Sequence, residues 1–329
     1  MDPQHLRYYL AVIDHGSINA AANAVGVAQP TISQAMRSLE RELKTPLFHR
    51  IGRGMVPTSA GHALVSPARK VLRDIATAAG SVPDAEGHLR GRVDVRAHPA
   101  VSTGLLPRLV AEFHRRHPKV RVTIGTMYDE SRVASLLRNA VCEIVVTHLP
   151  LGAGGEREHA ADERELDVLE LGTQVYAIAL PPEEGSPARG TLRWDELDSP
   201  MVVVPQGTYH AGQLFRAMSP QQQARRPAVV LQNREARLAF ALAGVGPTWI
   251  EQSATEVALQ RGARIRTMEP PLPAPYGLVY DSDSLSPAAA AFVELAAQLA
   301  ETDTSASSGS PAASEGSSVA RNAEAAGGS

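Results

Sequence analysis

The polar side chains in "QPTISQAMRS" are the residues of this sequence best suited to bind another macromolecule. They recur at helical spacing, begin beside Pro30, and comprise Gln29, Thr31, Ser33, Gln34 and Arg37. Amide, hydroxyl and guanidinium groups of this kind pair with base edges in the ~12 Å wide major groove of DNA. Pro30 suits the first turn of a helix, where it loses no intrahelical hydrogen bond. The run therefore predicts a helix whose polar face reads a DNA duplex.

Three further side chains are assigned to the same predicted surface. Arg50 and Arg53 lie in "HRIGRG", which reads as a hairpin whose arginines reach backbone phosphates, while Ser17 suits the N-cap of the preceding helix. Residues 1–92 contain 11 Lys and Arg against 7 Asp and Glu, although the whole chain has a formal net charge of −3. The alternative for this region is an Ala-rich core hairpin with a solvated polar face. The local positive charge favours DNA, because phosphate neutralisation requires it.

The residues before this run indicate how the helix is positioned. Gly26 provides a tight turn between two helices, and Val25, Val27 and Ile32 are predicted to pack between them. Close approach requires small side chains, which are supplied by Ala20, Ala21, Ala22 and Ala24. Two helices joined in this way satisfy the geometry of a helix-turn-helix.

The rest of the chain divides into three parts by pattern. Thr58 is predicted to cap a long helix that ends at Gly80, with Pro67 as a local kink. One apolar stripe follows this helix through Leu64, Ala68, Val71, Ile75 and Ala79. From residue 93 strands alternate with helices, which favours a mainly parallel α/β sheet. Residues 302–329 are rich in Ser, Ala and Gly and are predicted to be disordered.

Composition excludes several classes of function. The single cysteine, Cys142, lies in a predicted buried strand, so neither an intramolecular disulfide nor a thiolate cluster is expected. The chain begins without a secretion signal and has no apolar run of the ~20 residues that a membrane span needs. We therefore expect a soluble, cytoplasmic protein without membrane partners.

Enzyme function is the main competing interpretation. The sequence has no nucleophile elbow, P-loop or His-Glu-x-x-His zinc helix, and Gly244-x-Gly246 alone indicates only a turn. His114 and His117 lie three residues apart but read as part of a solvated basic face rather than a metal site. Neither catalysis, a metal nor a cofactor is predicted. A solute-binding domain or small-molecule enzyme with an N-terminal interaction module remains the alternative.

"LRYYLAVIDHGSINAAANAVGVAQPTISQAMRSLERELKTPLFHR" resembles the N-terminal signature of the LysR-type transcriptional regulators. The resemblance continues through "PTSAGHAL" and, more loosely, "GLLPRLVAEFHRRHPKVRV", "PMVVVPQGT", "ALAGVGP" and "SPAAAAFVEL", so it covers about residues 1–300. It implies an α/β multidomain protein with a winged helix-turn-helix at 1–57, a dimerising linker helix and hinge at 58–91, and an effector domain at 92–301. That domain would have two lobes like periplasmic binding proteins, at about 92–165 with 268–301 and about 166–267.

The resemblance also implies partners. Family members act as homodimers or homotetramers, bend a double-stranded operator, contact RNA polymerase and respond to a small, often anionic, effector. This sequence departs from the family in one place on the DNA side, where Ala28 replaces the usual Ser before Gln-Pro. The change removes a helix cap worth about 0.5–2 kcal/mol.

The effector is expected in the crevice at the carboxyl ends of the strands. Ser102 and Thr103 can cap the helix there or donate to a ligand, while Ala100 stands where the family usually has a hydroxyl and His98 can donate instead. The remaining predicted effector-binding residues are Asp129, Gln206, Thr208 and Thr248. A carboxylate at Asp129 would repel a simple anion, so the sign of the effector's charge stays open.

Overall fold

The computed structural model describes residues 1–52, 54–80, 82, 88–149, 166–204 and 220–308. The N-terminal part contains three helices and a two-stranded hairpin: α1 (Pro3–His15), α2 (Ile18–Val25), α3 (Gln29–Leu43), β1 (Phe48–Ile51) and β2 (Gly54–Pro57). A buried core of Tyr9, Ile32 and Leu39 joins the helices. This is the predicted winged helix-turn-helix arrangement.

Local capping explains where the first helices begin and end. The Asp2 carboxylate accepts a hydrogen bond from the Gln4 N–H (2.7 Å) at the start of α1. Gly26 ends α2 in the left-handed conformation (φ +74°), which permits the tight turn into α3. Ala21 and Ala22 are buried at the helix contact, whereas Val25 is 40% exposed. The prediction that Val25 packs between the helices is therefore wrong, because it lies on the outer side of α2.

A single long helix, α4 (Ser59–Gly80), follows the hairpin and contains Pro67. Thr58 caps it as predicted, since its Oγ1 accepts a hydrogen bond from the Gly61 N–H (3.0 Å). The Tyr9 hydroxyl donates to the Gly61 carbonyl, and a Cβ at residue 61 would overlap the carbonyl oxygen of Leu47. A glycine is therefore needed where α4 crosses the N-terminal core.

The predicted apolar stripe of α4 has two environments. Leu64 and Ala68 pack against the N-terminal core, whereas Val71 and Ile75 are 43% and 39% exposed. The opposite side of the helix contacts the C-terminal part, where the Arg73 guanidinium donates to the Cys142 carbonyl (2.8 Å). Thus α4 belongs to both halves of the molecule.

The first lobe of the C-terminal part is built on a mixed sheet. Its elements are β3 (Gly91–Ala97), α5 (Leu105–Arg116), β4 (Val120–Thr126), α6 (Val133–Arg138), β5 (Ile144–His148), β6 (Asp167–Leu180), β12 (Pro273–Tyr280) and α10 (Pro287–Ser308). The strand order is β4-β3-β5-β12-β6. Strand β3 runs parallel to β4 and β5, but β12 runs antiparallel to both β5 and β6.

The second lobe is assembled around the far half of β6. The elements of this lobe are β7 (Arg189–Arg193), β8 (Val202–Val203), α7 (Pro220–Ala224), β9 (Val229–Val230), α8 (Arg237–Leu242), β10 (Thr248–Glu251), α9 (Thr255–Gln260) and β11 (Arg264–Glu269). The far half of β6 lies between β10 and β11, both antiparallel to it, and β11 pairs in parallel with β7. The chain thus crosses between lobes within β6 and again between β11 and β12, while the predicted lobe boundaries at 165/166 and 267/268 stay a prediction. The prediction of a mainly parallel sheet is wrong, because β10, β11 and β12 all pair antiparallel with β6.

The end of the described chain also differs from expectation. Helix α10 runs to Ser308, seven residues beyond the predicted end of the effector domain at 301. The predicted disordered tail therefore begins within a helix, and its residues 309–329 lie outside the described part. No helix among the described residues has the length and apolar character needed to cross a membrane.

Candidate functional site

The predicted recognition surface is an open face of α3. Gln29, Pro30, Thr31, Gln34 and Arg37 are exposed, and Ser33 is half-buried. The opposite face packs into the core through Ile32, Ala35, Met36 and Leu39. Because buried and exposed positions alternate at helical spacing, the polar residues all remain available to a partner.

The N-terminus of α3 lacks a side-chain cap. Ala28 occupies the N-cap position with extended backbone (φ −70°, ψ 142°), and its methyl group makes no capping hydrogen bond. Pro30 lies in the first turn, as predicted. Backbone N–H groups at a helix start carry partial positive charge and favour a phosphate.

The hairpin lies beside the α1–α2 turn. The Met55 N–H donates to the Gly16 carbonyl (2.8 Å), which fixes β2 next to Ser17. Arg50 projects from β1 as an exposed side chain, while Arg53 lies outside the described residues. The Ser17 Oγ accepts from the Ala20 N–H (3.1 Å), so this residue is a helix cap whose contact with DNA stays a prediction.

The predicted effector residues after β3 form a compact buried turn. His98 is 3% exposed, and its Nδ1 accepts a hydrogen bond from the Ala100 N–H (3.2 Å). The Ser102 hydroxyl donates to the His98 carbonyl (3.0 Å), and the Ala100 methyl is buried. Ser102 therefore stabilises the turn, and neither Ser102 nor Thr103 caps α5, whose N-cap is Gly104.

Thr103 connects the two lobes. Its Oγ1 lies 3.3 Å from the Ser253 Oγ, a hydrogen bond between the loop before α5 and the turn after β10. Both residues are at the exposed rim. This contact defines one edge of the cleft between lobes.

Asp129 and Glu130 have different roles although they are adjacent. The Asp129 carboxylate accepts from the Ser131 N–H (3.1 Å) and hydroxyl (2.6 Å), so this exposed residue caps a short 3₁₀ turn. Glu130 points inward, with Oε1 3.0 Å from the His148 Nδ1. The carboxylate that faces the cleft interior is therefore Glu130 rather than the predicted Asp129.

His148 is the centre of a buried polar cluster that the sequence analysis missed. Its Nε2 lies 3.2 Å from the Tyr176 hydroxyl, and its ring centroid is 5.2 Å from that of His98. Burial raises the pKa of Tyr176, so the phenol stays protonated at neutral pH. The available signal was the position of His148, a polar residue that closes the buried strand "EIVVTH".

Two arginines continue this cluster into the second lobe. Arg234 and Arg237 both pair with Glu251, and the Arg237 Nε also donates to the Arg234 carbonyl (3.1 Å). Burial, assisted by the positive charge of Arg234, lowers the pKa of Arg237 to about 9. The guanidinium remains charged at neutral pH, and the cleft interior therefore contains charges of both signs.

Thr248 is the one remaining predicted effector residue that the structure describes. Thr248 is fully buried, and its hydroxyl donates to the Val202 carbonyl (2.9 Å), which joins β10 to β8. The predicted effector role of Thr248 is replaced by this structural bond. Gln206 and Thr208 lie outside the described residues.

Cys142 is buried beneath α6. Burial raises the pKa of its thiol to about 12, so almost no thiolate forms at neutral pH. A thiol in this state is unreactive. The structure thus supports a packing role.

Two family models match this chain. Residues 3–62 match "Bacterial regulatory helix-turn-helix protein, lysR family", and residues 86–301 match "LysR substrate binding domain". The HTH-type transcriptional regulator ShiR of Corynebacterium glutamicum (strain R) is 27% identical over 217 residues, 66% of this chain and 69% of that protein. A probable RuBisCO transcriptional regulator of Nostoc sp. is 30% identical over 176 residues, 54% of this chain and 50% of that protein. This chain spans about half the length of several such relatives.

Solved structures share the fold at low sequence identity. A full-length OxyR variant from Pseudomonas aeruginosa superposes with a TM-score of 0.63 at 19% identity, covering 91% of this chain and 97% of that chain. Full-length CbnR complexed with its target DNA gives 0.63 at 20% identity, covering 91% and 100%. At these identities the likeness concerns the fold alone.

Proposed function

Because this chain belongs to the LysR family of bacterial helix-turn-helix proteins, we propose that it is a DNA-binding transcriptional regulator controlled by a small molecule. The observation that carries this proposal is the open polar face of α3, with Gln34 and Arg37 exposed above a buried apolar face. A structure neighbour with the same fold is a complex with target DNA. Regulation, rather than catalysis, is the activity that we assign to the chain.

Operator binding would combine base contacts with phosphate contacts. The α3 side chains would reach base edges in the major groove, while Arg50 and the uncapped start of α3 would contact the backbone, a role that the sequence also predicts for Arg53. A dimer would present two such helices to half-sites about one helical turn, roughly 34 Å, apart. The exposed Val71 and Ile75 of α4 support dimerisation through residues 58–91, and homotetramers would pair such dimers.

Effector control would operate through the two lobes. A molecule that binds the cleft more tightly in one lobe arrangement shifts the population toward that arrangement. Because α4 contacts the first lobe, a change in the lobe arrangement would move the DNA-binding helices. It would thereby also change how the bound protein contacts RNA polymerase. Operator binding would occur in the cytoplasm, where the chromosome lies.

A binding experiment tests the recognition surface. An operator is selected from a random duplex library, and its Kd is measured by fluorescence anisotropy for the full chain. We expect Gln34→Ala and Arg37→Ala each to raise this Kd by roughly tenfold, since one base contact contributes about 1–3 kcal/mol. Affinity should also fall steeply with salt, because bound phosphates release counterions.

Arg261→Ala is the matched control. It removes the same charge as Arg37→Ala from an exposed position in the second lobe. We expect its Kd to equal that of the unmodified chain. Equal affinity for Arg37→Ala, Gln34→Ala and the control would show that α3 does not read the operator.

A further inference from the structure

Three side chains with metal-binding atoms converge in the cleft interior. One ligand atom from each of His98, Glu130 and His148 can be chosen so that all three lie within 4.8 Å of one another. The two histidines are 3% and 2% exposed, and the Glu130 side chain is also largely covered. Two imidazoles and a carboxylate are therefore held together away from bulk water.

The sheet topology places these residues rigidly. His98 follows β3, Glu130 lies in the turn after β4, and His148 ends β5. These three strands are adjacent and parallel, so their carboxyl ends meet at one edge. The His98 N–H also donates to the Val146 carbonyl (2.9 Å), which fixes the first histidine beside the strand that carries the second.

The separation of two of the three donors suits a single bound cation. The His148 Nδ1 and the Glu130 Oε1 are 3.0 Å apart, a separation that two metal–ligand bonds of about 2 Å can bridge. In that state His148 donates its Nε2 proton to the Tyr176 oxygen, which lies 3.2 Å away. Ligating histidines usually have such a partner for their second nitrogen, because it fixes the ring and its tautomer.

Binding at His98 changes the hydrogen bond between this ring and Ala100. The Nδ1 of this ring now accepts the Ala100 N–H, and the hydrogen bond is long at 3.2 Å. A metal on Nδ1 takes this lone pair, whereas a metal on Nε2 leaves the proton on Nδ1. Either mode ends one weak neutral hydrogen bond and forms a metal–nitrogen bond in its place.

We propose that His98, Glu130 and His148 bind a divalent transition-metal ion, with zinc the best match to two nitrogens and one oxygen. Three protein ligands leave at least one coordination position for water or for an oxygen or nitrogen donor of a small molecule. The proposal rests on the donor set and goes beyond the proposed function. It does not depend on DNA binding.

Cobalt titration of the chelator-treated full chain tests the site without DNA. We expect one equivalent of Co²⁺ to give visible d–d absorption bands, which Zn²⁺ then abolishes by displacement. Zinc should also raise the thermal unfolding midpoint, because a ligand that binds only the folded state stabilises it. A chain that gives neither bands nor a zinc-dependent shift would overturn the proposal.

Variants assign the metal to these residues. Glu130→Gln and His148→Gln should each weaken cobalt binding by roughly tenfold or more, as loss of a ligand exceeds the 10–100-fold effect of outer-shell changes. The controls are Glu112→Gln and His114→Gln, which change the same residue types on α5 and should bind cobalt like the unmodified chain.

Folding is monitored separately by circular dichroism. Glu130→Gln keeps an oxygen that can accept from His148, so it decides the question even if His148→Gln does not fold. Undiminished cobalt affinity in folded Glu130→Gln would exclude the site. Because operator affinity is measured separately, failure here leaves the proposed function intact.

Discussion

At the level of single residues, two buried threonines show how much a hydroxyl group depends on its partner. The Thr248 hydroxyl donates to a backbone carbonyl, whereas the Thr147 Oγ1 has no hydrogen-bond partner among the described residues. Both side chains are fully buried. A buried hydroxyl without a partner is desolvated and gains no hydrogen bond in return.

Replacing each threonine by valine should therefore have opposite effects. We expect Thr147→Val to raise the free energy of unfolding by about 1 kcal/mol, because it removes an unsatisfied polar group. Thr248→Val should lower it by about 1 kcal/mol, because the Val202 carbonyl loses its donor. Urea denaturation of both variants measures the difference. Two changes of the same sign would contradict this interpretation.

Single residues of the cleft were only partly predictable from the sequence. The ends of β3 and β4 predict His98, Thr103 and the Asp129–Glu130 pair near the crevice, and in the structure these residues follow those two strands. The sequence could not show which of the two carboxylates turns inward, because a 3₁₀ turn of three residues decides it. The assignment of Thr248 to the effector site was wrong, because its hydroxyl donates to a backbone carbonyl of the neighbouring strand β8.

At the level of elements, α3 begins without a side-chain cap, although the backbone at its N-cap residue has the conformation that a cap needs. Ala28 already has the extended backbone of an N-cap residue, and it is exposed. Its methyl group accepts no hydrogen bond from the first turn. This end of the helix is therefore held by its buried face and by the backbone hydrogen bond from the Thr31 N–H to the Ala28 carbonyl (3.0 Å).

Ala28→Ser should stabilise the N-terminal domain. We expect a gain at the lower end of about 0.5–2 kcal/mol, because the serine hydroxyl can accept from the Thr31 N–H, which now donates to the Ala28 carbonyl (3.0 Å). Thermal unfolding followed by circular dichroism measures it. Ala24→Ser, at an exposed position in the last turn of α2, is the control and should give no gain. Equal stability of the two variants would show that the cap is already replaced.

Periodicity predicted the helices better than the sheet. The apolar stripe of α4 was visible in the sequence, but only its first half packs against the core that contains α1, and this contact is tertiary. Alternating strands and helices indicated parallel pairing, yet β12 follows β11 after only three residues and pairs antiparallel with β6. Three residues contain no helix that could return the chain, so β12 keeps the direction of β11 and both strands run antiparallel to β6. Composition alone could not reveal this direction.

At the level of the whole molecule, the open half of α4 is the surface through which we propose that a second copy binds. Val71 and Ile75 lie one turn apart and are exposed, while Arg73 on the other side contacts the first lobe. The same helix thus has one face toward its own chain and one toward solvent.

Ile75→Glu should shift the protein from dimer toward monomer. A carboxylate at this position would be desolvated in an apolar interface, which is unfavourable without a partner. Sedimentation velocity measures the shift. Ala76→Glu adds the same charge at the next position, off the stripe, and should leave the dimer intact. A monomeric unmodified chain, or equal sedimentation of the variants, would argue against dimerisation through this face.

The shared position of α4 also limits how this chain can be recombined. Ala68 and Leu72 complete the core around Tyr9, so a fragment that stops at residue 57 would expose that core to water. A chimeric sensor with a foreign effector domain should therefore keep residues 1–80 together. Its junction belongs in the segment before β3, and the graft must supply a carbonyl oxygen for Arg73 in place of that of Cys142.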